Sequence, residues 1–242
     1  MGTENIRFES GGCGIAGCYH RAEPDTGRAV IISHGFEGSK DSEKWIFICD
    51  ELAAAGISAL RFDHRGMGES EGLFEDTTLT GRIDDLEKAA GFARKELGVR
   101  EIALLGSSFG GNTVLFAASK VSPACSAIVA TPLNFDFFDS LGLPVSDDSE
   151  FIDLGERRIR ASIRKDVAKY DIAAQAARTS RLLVMHGTAD ELIPPDHALE
   201  IHSAAAPPKC LFMIEGADHS FSEWQHRRIM SSHLLEWFSK FM

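Results

Sequence analysis

Short apolar runs alternate with amphipathic stretches along most of this chain. The runs are dominated by Ile, Leu, Val and Ala, which is typical of strands buried on both faces of a sheet. In the amphipathic stretches, apolar residues recur at the spacing of one helix face. The alternation predicts an α/β fold, with a mostly parallel central sheet covered by helices on both faces. Strands are predicted at residues 28–33, 57–62, 102–105, 127–130, 182–185 and 211–214, helices at 44–55, 80–97, 112–119, 195–205 and 227–241, and an edge hairpin at 6–19.

Residues suited to nucleophilic catalysis follow three of the predicted strands. Residues 106–111 read Gly-Ser-Ser-Phe-Gly-Gly, in which Ser108 has a glycine two positions before it and two positions after it. A serine on a tight strand-to-helix turn needs such small neighbours, so Ser108 is the candidate nucleophile. The alternative is a Gly/Ser-rich turn without a catalytic role. Asp190 and His219 follow the last two predicted strands, in the chain order Ser, Asp, His that this motif uses.

Other acids and histidines compete for these roles. Asp218 is an alternative to Asp190, but a side chain next to His219 in sequence is badly placed to orient its ring. Three further histidines follow predicted strands, and each is open to interpretation as a hydrogen-bonded turn residue. The three histidines are His34, His64 and His186. For His34 and His186 we favour the turn interpretation, because each precedes a glycine where the backbone bends.

The remaining motifs predict neither a cofactor nor a metal. The glycine-rich loop at residues 63–70 lacks the dinucleotide-binding spacing, and no helical pattern follows directly behind it. We therefore interpret it as a structural turn. The histidines in the predicted helices, at positions 197, 202, 226 and 233, lack the spacing of metal ligands.

Composition narrows the class of partner. The 242 residues suffice for one large α/β domain, and 25 basic against 36 acidic residues give a formal charge of −11. That charge disfavours nucleic acid and anionic membranes as partners. The five cysteines form no Cys-x-x-Cys pair, and no leader pattern or membrane-spanning apolar stretch is present. We therefore expect a cytoplasmic protein with reduced thiols and no integral membrane association; the sequence leaves its oligomeric state open.

Taken together, these strand ends resemble those of the α/β-hydrolase superfamily over nearly the whole chain. The chain looks most similar to compact bacterial esterases of the feruloyl (cinnamoyl) type, followed by the acylglycerol-lipase and serine-aminopeptidase branches. It departs from those esterases at Ser107, where histidine is frequent, and at Phe109, where glutamine is frequent. The matching segments are residues 34–36, 63–70, 106–111, 187–190 and 218–219.

The resemblance implies the α/β-hydrolase fold and a serine carboxylesterase that needs no cofactor. Ser108 would attack the ester carbonyl, His219 would transfer the proton, and Asp190 would orient the imidazole. The backbone N–H groups of Phe36 and Phe109 would form the oxyanion hole. The expected partner is a small-molecule ester with a small or aromatic acyl group.

The alternation of strands and helices breaks between residues 133 and 178. We interpret this segment as a cap insertion rather than a second sheet, with residues 1–132 and 179–242 as the hydrolase core. A helical stretch with Ile159, Ile163 and Val167 facing inward is expected within it. Its arginines could bind an acidic acyl group, although a solvated helix face is favoured. Three aromatic residues are expected to line an acyl or aromatic pocket or, alternatively, to form the core of the cap: Phe135, Phe137 and Phe138.

Several functions share this machinery and remain open. A thioesterase, a monoacylglycerol lipase and an aminopeptidase use the same triad, and the cap decides between them. Haloalkane dehalogenases and epoxide hydrolases are disfavoured, because they carry aspartate where this chain has Ser108. A non-catalytic ligand-binding protein of the same fold is a remote alternative, since such relatives usually lose a triad member.

Overall fold

The computed structural model describes residues 2–135 and 150–242. Its main sheet has eight strands in the order β1-β2-β4-β3-β5-β6-β9-β10. β1 and β2 form an antiparallel hairpin, and β2 also pairs antiparallel with β4. All other neighbouring strands of this sheet are parallel. The strands are β1 Gly2–Ser10, β2 Cys13–Arg21, β3 Arg28–Ser33, β4 Ser58–Phe62, β5 Glu101–Ser107, β6 Ser126–Val129, β9 Leu182–Gly187 and β10 Lys209–Ile214. The predicted α/β fold with a mostly parallel sheet is confirmed.

Helices cover both faces of the sheet, as their apolar spacing predicted. One buried cluster contains the inward residues of α2 and α3, and a second contains those of α1 and α7. The helices are α1 Glu43–Ala54, α2 Leu79–Glu96, α3 Phe109–Val121, α4 Ile163–Val167, α5 Ile172–Ala176, α6 Asp196–Ala204 and α7 Trp224–Phe241, and a 3-10 turn lies at Phe74–Asp76. Among the described helices, none combines the length and the apolar character needed to cross a membrane.

The register of the central strands brings their carboxyl ends to one edge of the sheet. Ser33 pairs with Gly106, and Ser107 pairs with Val129 on the next strand. At the other end of the sheet, Ile214 pairs with Gly187. The loops that follow these strands therefore lie side by side, which positions the candidate chemistry.

The described part of residues 133–178 contains a small sheet that the sequence did not predict. Ile159 lies on a strand, in a separate two-stranded sheet formed by β7 Phe151–Asp153 and β8 Arg158–Arg160. The predicted absence of a second sheet and the helical assignment of Ile159 are therefore wrong. Ile163 and Val167 lie on α4, and all three side chains are buried. The run Arg158-Ile159-Arg160 alternates too briefly for its period to be separated from that of the following helix.

The surroundings of this small sheet also change the interpretation of its arginines. Arg160 forms ion pairs with Glu75, Asp76 and Glu150. Arg158 and Arg160 therefore lie on a hairpin and contact carboxylates, where a solvated helix face was predicted, whereas Arg164 lies on α4. Phe137 and Phe138 lie outside the described residues, and the division into core and cap stays a prediction.

Candidate active site

Ser108 stands on a sharp turn between β5 and α3. Its backbone has φ 55° and ψ −128°, in the left-handed region that is unfavourable for residues other than glycine. Its N–H donates to the carbonyl of Val129 at 2.8 Å, which fixes the turn to the neighbouring strand. A Cβ on Gly106 would collide with the carbonyl of Gly110, and a Cβ on Gly110 with that of Ser33. Both glycines are therefore required for the backbone packing that lifts Ser108 above the sheet.

Asp190 and His219 are brought together by the loops after β9 and β10. His219 Nδ1 lies 2.8 Å from Asp190 Oδ2. The carboxylate is buried, whereas the histidine side chain is 20% exposed. The two loops are themselves joined, because the N–H of Ala189 donates to the carbonyl of Ala217 at 3.0 Å. The residues predicted to act as acid and base thus form a direct hydrogen-bonded pair at the edge of the sheet where Ser108 lies.

The carboxylate of Asp190 is stabilised in its charged form. Burial by itself opposes ionisation, but hydrogen bonds from His186, His219 and the N–H of Ile193 outweigh it and hold the pKa of Asp190 well below its usual range. Oδ1 accepts the N–H groups of Leu192 at 3.0 Å and Ile193 at 2.8 Å. Oδ2 is thereby left to face two histidines, His219 at 2.8 Å and His186 at 3.1 Å.

Two side chains that compete with this pair in the sequence have other contacts. Asp218 accepts hydrogen bonds from Ser222, through the N–H at 2.8 Å and through the hydroxyl. His186 is buried, and its Nε2 lies 3.0 Å from the carbonyl of Ile193 as well as 3.1 Å from Asp190 Oδ2. His186 therefore lies beneath the pair, whereas His219 is the histidine that reaches the cavity.

Phe36 and Phe109 lie on either side of the serine turn. Phe36 follows β3 after two residues, and Phe109 is the first residue of α3. Their rings pack edge to face, with centroids 5.5 Å apart. A Cβ built on Gly35 would lie 3.5 Å from Cβ of Ser108, so the peptide that leads into Phe36 runs directly beside the serine.

Behind this peptide lies a buried arginine on α2. The Nη2 of Arg82 donates to the carbonyl of His34 and, at 3.2 Å, to the carbonyl of Gly35. Its guanidinium carbon lies 5.3 Å from the ring centroid of Phe109. Arg82 therefore contacts the segment before Phe36 and also the first residue of α3.

The histidines next to Arg82 are neutral structural residues. His34 accepts the backbone N–H of His64 at 3.1 Å, and His64 Nε2 lies 2.8 Å from the hydroxyl of Ser33. Burial and the positive charge of Arg82 lower the pKa of His64 to about 3 and the pKa of His34 well below its usual value. Asp85 is the carboxylate neighbour of His64, at 3.3 Å. This network supports the turn after β3, and none of His34, His64 and Asp85 lines the cavity above Ser108.

A cavity of about 490 Å³ opens above Ser108 and His219. Its size is in the range of small-molecule sites in proteins. Among residues 2–135 and 150–242, four apolar residues form its walls, and Phe135 is not one of the lining residues. The ring of Phe135 packs against that of Phe109, with centroids 6.0 Å apart. The apolar wall residues are Phe36, Trp45, Leu192 and Ile193, and the charged ones are Glu37, Glu43, Lys44 and Arg227.

Sequence reasoning missed Arg82, Lys44 and Trp45 as site residues. Arg82 left a signal, since it lies four positions before the inward Leu86 on an amphipathic helix, where a charged residue is unusual. Lys44 left none, because its position depends on how the start of α1 packs beside the serine turn. Trp45 is an apolar residue of the helix predicted at residues 44–55, and the structure adds that this buried residue also lines the cavity.

Comparison with known sequences gives the first evidence of family. A family model of the alpha/beta hydrolase fold matches residues 28–141. The protein YfhR of Salmonella typhimurium, itself uncharacterized, is 29% identical over 205 residues. The alignment covers 81% of this chain and 66% of YfhR, so the chain spans just under two thirds of the length of that relative.

Comparison with solved structures extends the likeness over the whole chain. Est1E from Butyrivibrio proteoclasticus, with ferulic acid bound, superimposes with a TM-score of 0.88 at 20% identity, over 98% of both chains. The esterase domain of a Rhodothermus marinus protein gives a TM-score of 0.79 at 24% identity, again over 98% of both chains. At such identities the likeness establishes the fold. Together with the family match over residues 28–141, these likenesses show that this chain has the α/β-hydrolase fold.

Proposed function

We propose that this chain is a serine hydrolase that cleaves carboxylic esters of small or aromatic acyl groups through an acyl-serine intermediate. The observation that carries the proposal is the 2.8 Å contact between His219 Nδ1 and the buried Asp190 carboxylate, at a cavity lined by both Ser108 and His219. A histidine held at Nδ1 by a carboxylate presents Nε2 as a proton acceptor. That is the atom a serine nucleophile needs.

The reaction proceeds in two stages. In the first, Ser108 Oγ attacks the ester carbonyl while His219 Nε2 takes its proton. The tetrahedral intermediate then collapses, His219 returns the proton to the departing alcohol, and the acyl group stays on Ser108. In the second stage a water molecule gives a proton to His219 and attacks the acyl-serine. The bond to Ser108 Oγ then breaks, His219 returns the proton to that oxygen, and the acid is released with the enzyme restored. Asp190, ionised throughout, stabilises the imidazolium that forms in each stage.

The oxyanion is assigned to the backbone N–H groups of Phe36 and Phe109. Phe109 begins α3, and a helix N-terminus favours negative charge. Phe36 belongs to the segment that passes beside Ser108. Donors fixed before the reaction stabilise the transition state without having to reorganise.

Small or aromatic esters are the substrate class that the cavity supports. Trp45, Leu192 and Ile193 offer apolar walls to an acyl or aryl group. The ferulic acid bound to Est1E and the esterase domain of the Rhodothermus marinus protein support ester chemistry on this fold. A pocket role for Phe135, Phe137 and Phe138 stays a prediction of the sequence.

The proposal is tested with a fluorophosphonate probe and a substrate panel. We expect the probe to label the protein once, and mass spectrometry of the digested protein to map the label to Ser108. The panel contains p-nitrophenyl acyl esters of rising length, methyl ferulate, an acyl thioester and an aminoacyl anilide. Turnover of the esters above the other two classes supports a carboxylesterase.

A serine elsewhere on the same helix provides the control for labelling. Ser119 is exposed at the far end of α3, and Ser119→Ala should be labelled like the wild type. Absence of label on the wild type, or equal labelling of Ser108→Ala, would contradict the proposed nucleophile. Preferential turnover of the thioester or the anilide would move the function to the corresponding alternative class.

Arg82 is expected to act as a positioning residue for the oxyanion hole. Arg82→Met keeps much of the side-chain volume but removes the donor that holds the carbonyls of His34 and Gly35. The N–H of Phe36 should then be less well oriented toward the transition state. We expect kcat for p-nitrophenyl acetate to fall about 10- to 100-fold while KM changes little.

Retention of the charge should separate positioning from a general structural role. Arg82→Lys should recover part of the lost kcat, because an ammonium can still donate to one carbonyl. Thermal unfolding of each variant monitors the folded state. A folded Arg82→Met protein with wild-type kcat would contradict the assignment.

A further inference from the structure

Lys44 lies on the wall of the cavity that contains Ser108 and His219. It is a half-buried residue in the first turn of α1, and its Nζ lies 3.3 Å from the hydroxyl of Ser107, the residue before the candidate nucleophile. The ammonium also lies over the ring of Trp45 at 4.8 Å and over that of Phe221 at 5.8 Å. The side chain is therefore held between aromatic surfaces, with its charge beside the reaction centre.

Lys44 forms no ion pair with a carboxylate of the described residues. Lys40, four positions earlier, shows the contrast. Its buried ammonium contacts three carboxylates, those of Asp41, Asp63 and Glu69. Removal of an ammonium from water is costly unless an anion or hydrogen bonds compensate for it. At Lys44 a single hydroxyl and two ring faces provide that compensation.

The charge at Lys44 is present but incompletely stabilised. Burial, followed by the nearby positive charge of Arg227, lowers the pKa of Lys44 to about 8, while Asp218 and Asp190 oppose this shift. In most molecules the Lys44 side chain is therefore protonated at neutral pH. An anion that enters the cavity would stabilise the ammonium of Lys44 and so offset the destabilisation that burial causes.

A second cation lies on the same wall. Arg227 of α7 donates through Nε to the carbonyl of Phe221 at 2.8 Å and pairs through Nη1 with Glu43 at 3.2 Å. Glu43 is 86% exposed, so this pair is screened by solvent. Glu37, the other acidic residue on the cavity wall, is likewise exposed. The inner part of this wall is therefore positive, although the whole protein carries a net charge of −11.

We propose that Lys44 binds a carboxylate carried by the ester substrate, so that the preferred substrates are anionic esters. The inference rests on the proposed function and specifies its substrate class. The carboxylate lies either on the acyl part, as in a monoester of a dicarboxylic acid, or on the alcohol part, as in an ester of a hydroxybenzoic acid. An ammonium on a flexible stem can meet a carboxylate in either arrangement.

The test compares pairs of esters in which a carboxylate is replaced by a neutral group of similar shape, and the release of the shared leaving group or acyl group is followed. On the acyl side, the pair is 4-nitrophenyl hydrogen adipate and 4-nitrophenyl methyl adipate. On the alcohol side, it is 4-acetoxybenzoate and 4-acetoxybenzamide. For at least one pair we expect wild-type kcat/KM to be about 10- to 100-fold higher for the anion, as for a charge-assisted hydrogen bond. The pair that shows the preference tells which part of the substrate meets Lys44.

Substitution of Lys44 should remove this preference. Lys44→Met should lower the anion-to-neutral ratio of kcat/KM to near one, and Lys44→Arg should retain most of it. Lys44→Gln carries the same test if the methionine variant does not fold. Lys95→Met removes an equal charge from an 84% exposed position on α2, and it should leave the ratio unchanged.

The outcomes distinguish this inference from the proposed function. If the esters are hydrolysed without a charge preference, or with a preference that survives in a folded Lys44→Met protein, the anion site is wrong and the hydrolase proposal stands. If no ester is hydrolysed and the fluorophosphonate probe gives no label, the hydrolase proposal fails. An anion preference that is lost in Lys44→Met and kept in Lys44→Arg supports both.

Discussion

Ser108→Ala is expected to lower kcat for ester hydrolysis by roughly five to six orders of magnitude, as loss of the nucleophile does in other triad hydrolases. The acyl-serine cannot form without Oγ, and His219 then has no hydroxyl from which to take a proton. Residual hydrolysis would come from the oxyanion donors and the cavity acting on attack by water. Steady-state kinetics with p-nitrophenyl acetate, using protein freed of contaminating esterase, measures the loss.

The substitution should leave the fold intact, which makes the kinetic result interpretable. Alanine meets the same positive-φ backbone that Ser108 already occupies, and the N–H that donates to Val129 is kept. Ser119→Ala, on the exposed face of the same helix, should have wild-type kcat. If folded Ser108→Ala retained kcat within about tenfold of the wild type, Ser108 would not be the nucleophile and the mechanism would have to be abandoned.

The parts of the site that could be predicted from sequence depend on backbone geometry. Gly106 and Gly110 are recognisable because the turn at Ser108 leaves no room for a Cβ at either position. Asp190 and His219 could be assigned because each directly follows a strand, and parallel strands end at one edge. In each case a local pattern, together with a general rule of the fold, sufficed.

The parts that could not be predicted depend on packing between distant elements. The contact of Arg82 with the segment before Phe36 joins residues nearly fifty positions apart, and only the placement of α2 against the turn after β3 brings them together. The ammonium of Lys44 likewise meets Ser107 across a separation of 63 positions. Local periodicity assigns such residues to a helix face without indicating which loop that face will touch.

Asp190→Asn is expected to lower kcat by about four orders of magnitude with little change in the fold. The amide oxygen can still accept the N–H groups of Leu192 and Ile193, which Oδ1 accepts in the wild type. The amide nitrogen would then take the place of Oδ2 and offer a donor to His219 Nδ1. The imidazole would shift its proton to Nε2, the atom that must accept the proton of Ser108. The loss is therefore one of tautomer and charge, measurable as a fall in kcat in a protein with unchanged thermal unfolding.

Asp218→Asn provides the matched control, since it makes the same substitution at the acid next to His219 in sequence. The Asp218 carboxylate is engaged by Ser222 and forms no hydrogen bond to His219 in the described part of the chain, so its amide variant should keep kcat close to wild type. The opposite pattern, with activity lost in Asp218→Asn and retained in Asp190→Asn, would transfer the acid role to Asp218. Loss in both variants would mean that the loop after β10 positions His219 through Asp218 as well. The pair of variants thus tests whether the 2.8 Å contact seen here is the one that orients the base during turnover.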